Sequence, residues 1–237
     1  MASAQLVDEV PGRALAVYAH PDDVEVACGG TLARWARAGC EAHLIVVCQG
    51  DKGSLDPACD PTALAATRAG EVAEAAGVLG LASHRVLGVP DGEVEVSAHL
   101  LGDLVAAVRS VRAEVVVAPD PTALLFGRSY VNHRDHRVVG TATLDAVAPA
   151  AAMPHYFPDR GPAWAVRELW LSGTLEPDVH VDVEPVLAVK AAALACHRSQ
   201  VDVPGELLHT VVEQRAGEAG RGAGVRYAES FRRMVLV

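Results

Sequence analysis

Two short polar clusters carry the residues whose types and spacing could do chemistry. The first is His20-Pro21-Asp22-Asp23, a histidine followed at two and three residues by carboxylates. Pro21 fixes its own φ and biases His20 toward an extended conformation, so the turn is stiff. The second is Asn132-His133-Arg134-Asp135-His136. A neutral imidazole and a carboxylate suit zinc, and a catalytic zinc takes three protein ligands plus water. Together the clusters offer His20, Asp23 and His136 as a two-histidine, one-carboxylate set, with Asp22, His133 and Asp135 left over. Taken singly, each cluster also has an ordinary reading: an aspartate capping the next helix, beside solvated histidines.

The elements around these clusters bring them to one place. Short β-branched runs at 14–19, 42–48, 85–89 and 115–118 read as strands. Between them, alanine-rich stretches at 31–38, 61–79 and 98–111 read as helices, with Gly39 closing the first. Asp60-Pro61 and Ser97 supply N-terminal signals for the other two. Alternating strand and helix predicts a parallel sheet covered on both faces, with ligands beyond the carboxyl ends of the strands. The segments just after the four strands contain His20-Pro-Asp-Asp, Gln49-Gly-Asp-Lys-Gly-Ser, Pro90-Asp-Gly and Pro119-Asp-Pro. The second half is less regular. It reads as a helix over 135–147, a proline-containing loop over 148–162 and strands at 166–171 and 179–183. Helices follow at 186–196 and 206–218, then a glycine-rich break at 217–224 and a short element at 229–234 of either type. One domain over 1–237 is expected, with a metal-binding core at about 13–147.

Ala19-His20-Pro21-Asp22-Asp23-Val24-Glu25 with Cys28-Gly29-Gly30-Thr31-Leu32, followed by His133-Arg134-Asp135-His136, resembles the signature of the LmbE-like (PIG-L) family of zinc-dependent N-acetylglucosaminyl deacetylases. The similarity extends through Arg68-Ala-Gly-Glu71 and Pro90-Asp91-Gly92, and weakly to His197-Arg198-Ser199-Gln200. The resemblance implies a Rossmann-like fold with a less regular C-terminal portion completing the cleft. It implies His20, Asp23 and His136 as zinc ligands and Asp22 as the general base that deprotonates the attacking water. His133 would stabilise the oxyanion or protonate the leaving amine, with Asp135 orienting it, and Arg68 and Asp91 would meet sugar hydroxyls. Arg134 stands where the family usually has proline. Val131 stands where it often has tyrosine, so that role would pass to Tyr130 or Asn132. A two-histidine, one-carboxylate set also suits iron(II).

The implied reaction is hydrolysis of the acetamide of an N-acetyl amino sugar or related glycoside. The alternatives kept open are an amidase of thiol-conjugate pseudodisaccharides and a non-catalytic metal-binding protein. The HxHxDH pattern of metallo-β-lactamases fails at Val131. A dinucleotide fingerprint fails because no GxGxxG follows the first strand.

Composition bounds the remainder. With 20 Lys and Arg against 30 Asp and Glu, the net charge is −10, which argues against nucleic acid as a general partner. Half of the 237 residues are hydrophobic but only 4% aromatic, so Ala, Val and Leu must build the core. No apolar run reaches the roughly 18 residues of a membrane span, and residues 1–11 lack the form of a secretory signal. The expectations are a cytoplasmic protein, no membrane partner and a homo-oligomer. The five cysteines show no CxxC spacing and read as free thiols, and Trp35 reads as core. His180 and Asp182 read as structural, with a place in the cleft as the alternative.

Overall fold

The computed structural model describes residues 5–201 and 204–236. Its centre is a parallel sheet of β2 (Arg13–Tyr18), β3 (Glu41–Cys48), β4 (Ser83–Val89) and β5 (Val115–Pro119), joined by α1 (Asp23–Arg37), α2 (Pro61–Leu79) and α3 (Ala98–Val111). Successive side chains of a strand point to opposite faces, and both faces are covered. Ala14, Ala16 and Tyr18 enter one core with α1 and α2. Leu15 and Val17 enter a second with α3 and α4 (Arg134–Asp145). That two-sided burial is why these strands read as unbroken apolar runs rather than alternating ones.

The second half extends the same sheet. A short strand β1 (Gln5–Leu6) and β8 (Glu168–Ser172), β9 (Val179–Asp182) and β10 (Ala228–Val235) complete the eight-stranded order β1-β9-β10-β8-β5-β2-β3-β4. β10 runs antiparallel to both β8 and β9, and the other pairings are parallel. A two-residue hairpin, β6 (Leu125–Phe126) and β7 (Tyr130–Val131), leads into α4. Helices α5 (Leu187–Leu194) and α6 (Gly205–Ala223) pack on the α1 face.

The expected caps are present. Asp60 accepts from the Thr62 amide and Ser97 from the Leu100 amide, and Gly80 closes α2 at φ 76°. Three expectations change, and one open reading is decided. The first helix starts at Asp23 rather than 31, although its path breaks at Cys28 (φ −145°, ψ 15°). The expected break at 217–224 is helical as far as Ala223, ending at Gly224 (φ 73°). Gly220 serves packing there: a Cβ would lie 2.6 Å from the Val225 carbonyl oxygen. The undecided segment at 229–234 is strand β10, and the expected loop at 148–162 opens in a π-helical turn (Ala146–Ala151) and holds a 3-10 turn (Pro158–Arg160). No described helix is long and apolar enough to cross a membrane.

Glu229, on β10, explains the break in α1. Its two carboxylate oxygens accept from the Gly30 amide (2.8 Å), the Thr31 amide (2.7 Å) and the Thr31 hydroxyl (2.6 Å). It thus caps the second part of α1 as an N-terminal residue would. Lys190 on α5 pairs with the same carboxylate at 2.5 Å and donates to the Val26 carbonyl oxygen at 2.9 Å. Gly30 is required for this approach, since a Cβ would lie 2.8 Å from the Val183 side chain.

Candidate metal centre and active site

β2 ends at Tyr18 and the chain turns through His20-Pro21-Asp22 into α1. Asp22 adopts φ 100°, a conformation that Asp tolerates better than most residues. This turn sends Asp22 and Asp23 to different neighbours. Asp23 accepts from the His20 amide at 2.7 Å, folding its carboxylate back under the imidazole. Asp22 meets the Arg68 guanidinium at 3.3 Å.

α4 brings the second cluster to the same spot. His133 is its N-cap, with Nδ1 accepting from the Asp135 amide at 3.2 Å. That contact assigns the proton of a neutral His133 to Nε2. One turn on, His136 Nε2 lies 3.2 Å from an Asp23 carboxylate oxygen and 3.2 Å from His20 Nδ1. His20, Asp23 and His136 thus place their donor atoms within 4.8 Å of one another.

The outer hydrogen bonds of the two imidazoles decide what lies between them. His136 Nδ1 faces the side-chain oxygen of buried Asn132 at 3.1 Å, and His20 Nε2 faces the buried Asp135 carboxylate at 3.2 Å. Both partners are acceptors, so both outer nitrogens carry the proton. The inner nitrogens then present lone pairs to each other at 3.2 Å, with a carboxylate beside them. Such a pair repels unless a cation lies in between, and carboxylate- or carbonyl-backed histidines are the usual support of a metal ligand. The donor set therefore fits a divalent cation. The same pull acts on protons: burial favours neutral His20, yet its contact with Asp23 lifts it to about 11, so with no cation between the rings a proton is drawn there instead. Burial also disfavours the charge on Asp23, but His136 and His20 outweigh it and hold the carboxyl well below the usual range.

Two other groups of possible donors share His20: His133 with Asp135, and Cys48 with Asp91. Their atoms are more fully engaged elsewhere. Asp91 accepts from the Gly50 amide at 2.9 Å, and burial pushes the Cys48 thiol up to about 11. Asp135 accepts from the Gly92 amide at 2.6 Å. Its distance to His133 Nδ1 is 3.7 Å, beyond hydrogen-bond reach; the Asp135 amide holds that nitrogen, while the carboxylate faces His20.

The other residues singled out in the sequence fall as follows. Asp22 is pushed up to about 7, first by burial and next by the Asp23 charge, against the pull of Arg68. Arg68 is buried and also donates to the Pro21 and Gly50 carbonyl oxygens. Arg134 donates to the Gly92 and Val94 carbonyl oxygens, tying the start of α4 to the loop after β4. Where a tyrosine was not found at 131, Asn132 backs His136 and Tyr130 lines the cleft. His180 is buried against Ser230, and is not among the cleft-lining residues. Sequence reasoning gave Glu25 and His197 no role beyond their place in the resemblance; both are fully buried, 3.2 Å apart, beneath the turn that holds Asp22.

The cleft has two lobes that meet at the cluster. One, of about 440 Å³, is lined by His20, Asp22, Lys52, Arg68, Asp91 and His133. The other, of about 370 Å³, is reached past Asp23 and His136.

Comparison with known proteins agrees with this geometry. The PIG-L family model, described as GlcNAc-PI de-N-acetylase, matches residues 15–147. A diacetylchitobiose deacetylase of Thermococcus kodakarensis is 28% identical, covering 93% of this chain and 82% of that protein. A 1D-myo-inositol 2-acetamido-2-deoxy-alpha-D-glucopyranoside deacetylase of Geodermatophilus obscurus is 31% identical, covering 90% and 81%. Among solved structures, the N,N'-diacetylchitobiose deacetylase from Pyrococcus horikoshii in complex with its inhibitor MPG is 29% identical. It superposes with a TM-score of 0.86, covering 95% of this chain and 84% of that one. The chain belongs to the PIG-L family and is an N-deacetylase, a hydrolase of a carbon–nitrogen bond other than a peptide bond.

Proposed function

We propose that this enzyme removes the acetyl group from an N-acetylated amino sugar or its glycoside, with a zinc ion held by His20, Asp23 and His136. The observation that carries the reading is the facing pair of inner histidine nitrogens beside Asp23, flanked by two groups suited to move protons, Asp22 and His133. Relatives that act on acetylated glucosamine compounds support the substrate class.

When bound, a divalent cation supplies Lewis acidity, making water a nucleophile near neutral pH and polarising the amide carbonyl. The chain's own groups do the rest. Asp22 ligates nothing in this scheme, and its carboxyl, raised to about 7, is matched to accepting a proton from water at neutral pH. Arg68 and the Pro21 turn hold it in place. His133, with its proton on Nε2, donates either to the developing oxyanion or to the departing amine. Arg68, Asp91 and Lys52 line the lobe on that same side, where a sugar with several hydroxyls would sit.

The test is acetate release from a panel of N-acetyl amino sugars and their glycosides, with metal content measured on protein purified without chelator. About one zinc per chain and turnover of at least one N-acetylglucosamine compound is the expected result. Full activity in metal-stripped protein would overturn the metal centre.

A further inference from the structure

Asp22-Asp23-Val24-Glu25 has the form of a capping box at the start of α1. In that motif the N-cap side chain accepts from the amide three residues on, and the glutamate there reaches back to the N-cap amide. The structure uses neither carboxylate that way. Asp22 is the N-cap of α1, yet its side chain makes no capping hydrogen bond and its backbone sits at φ 100° rather than extended. Its carboxylate turns to Arg68 and the larger lobe of the cleft. Glu25 turns instead into the core, where it is 1% exposed and 3.2 Å from Nε2 of the fully buried His197.

This pair differs from an ordinary stabilising contact. The desolvation of a buried ionisable pair is offset only by good geometry and further hydrogen bonds. Among the described residues, neither nitrogen of His197 nor Oε2 of Glu25 has a well-directed hydrogen bond. His197 is nonetheless firmly held. Its carbonyl oxygen accepts from the Gln200 and Val201 amides, both at 2.9 Å. In the same turn, Ser199 gives its amide and its hydroxyl to buried Glu71, each at 2.7 Å. Glu71 lies one turn along α2 from Arg68. The turn after α5 therefore braces both helices that present Asp22 and Arg68. A left-handed aspartate persists only where its surroundings over-determine it, and Glu25 is the neighbour whose alternative contact would undo it.

We infer that His197 is a positioning residue for the deacetylation: it holds Glu25 in the core, keeps the capping box open and leaves the Asp22 carboxylate to the attacking water. This rests on the function proposed above and deepens it. Without His197, Glu25 is free to take the Asp22 amide. The turn then relaxes to an extended N-cap, and Asp22 caps the helix instead of facing the cleft.

The experiment compares His197→Leu and His197→Gln on the zinc-loaded enzyme, each alone and in the Asp22→Asn background, with zinc content and a crystal structure. In His197→Leu, kcat for an N-acetylglucosamine glycoside should fall about tenfold or more, with KM within about threefold and zinc still near one per chain. His197→Gln, whose amide nitrogen stands where Nε2 did, should recover most of that loss. In the Asp22→Asn background His197→Leu should cost less than about twofold, since effects that pass through one group do not add. The crystal structure of His197→Leu should show the Glu25 carboxylate at the Asp22 amide. An unchanged kcat in His197→Leu, an equal loss in the Asp22→Asn background or no recovery in His197→Gln would each overturn the positioning role. Should the leucine variant not fold, His197→Asn, whose amide stops short of Glu25, carries the same expectations. A parent enzyme without deacetylase activity would remove the proposed function, and the crystal structure would then decide alone whether His197 holds the box open.

Discussion

His20 Nδ1 and His136 Nε2 face each other at 3.2 Å while their outer nitrogens point at Asp135 and Asn132. The arrangement favours whatever positive charge can sit between the rings, and it fixes both tautomers in the form that ligates. Stripping divalent metal with a chelator should therefore abolish activity, restored on adding back one equivalent of zinc. It should also lower the melting temperature. An ion at one hundred times its dissociation constant stabilises the native state by about 2.7 kcal/mol, which a thermal scan with and without chelator resolves.

Asn132 acts on that pair from outside. Asn132→Ala removes the acceptor behind His136 Nδ1 and frees the ring to rotate or to take its other tautomer. Such supporting partners typically contribute 10–100-fold in metal affinity. The expected outcome is a loss of that size in a competition titration with a chromophoric chelator, with activity largely recovered at saturating zinc. Unchanged affinity would detach Asn132 from the metal centre.

Asp22→Asn keeps the size of the side chain and one acceptor toward Arg68 while removing the base. Metal content should stay near one per chain. Turnover should fall by roughly 10²–10⁴, the usual contribution of a general base. Retained kcat would take Asp22 out of that role.

Glu229→Ala tests the bend of α1. It strands the Lys190 ammonium in the core and uncaps Gly30 and Thr31. Breaking a buried ion pair from one side costs about 3–5 kcal/mol, read as a lower urea midpoint. Replacing both partners by apolar residues, Lys190→Met with Glu229→Leu, should recover part of the loss.

The parallel core was legible because its strands are continuous apolar runs ended by turn residues, and because Asp60, Ser97 and Gly80 mark helix ends by local chemistry. The two polar clusters were legible for the same reason: each is contiguous in sequence. What was hidden is non-local. Glu229 lies 199 residues from Gly30, and no neighbour of either announces the other. β10 carries Glu229, Arg232 and Arg233 among its apolar residues, so its period is blurred until the two strands beside it are known. Gly217 and Gly220 read as breakers, because helix propensity counts backbone freedom and not the turn backbone at Val225 and Arg226 that Gly220 lets approach. The contact of the Asp135 carboxylate with His20 was equally out of view, because His20 lies 115 residues earlier in the chain.

β10 also orders events as the protein is made. β8 and β9 do not pair with each other; each pairs with β10, and β1 pairs only with β9. During synthesis the ribosome must deliver residues 228–235 before β9 can join the sheet, and β1, made well before them, waits for that moment. Closure over so long a sequence separation is slow and leaves the β8 edge open in the meantime. A nascent chain of this enzyme is therefore at its greatest risk of wrong strand pairing in the interval between the parallel core and the arrival of residues 228–235.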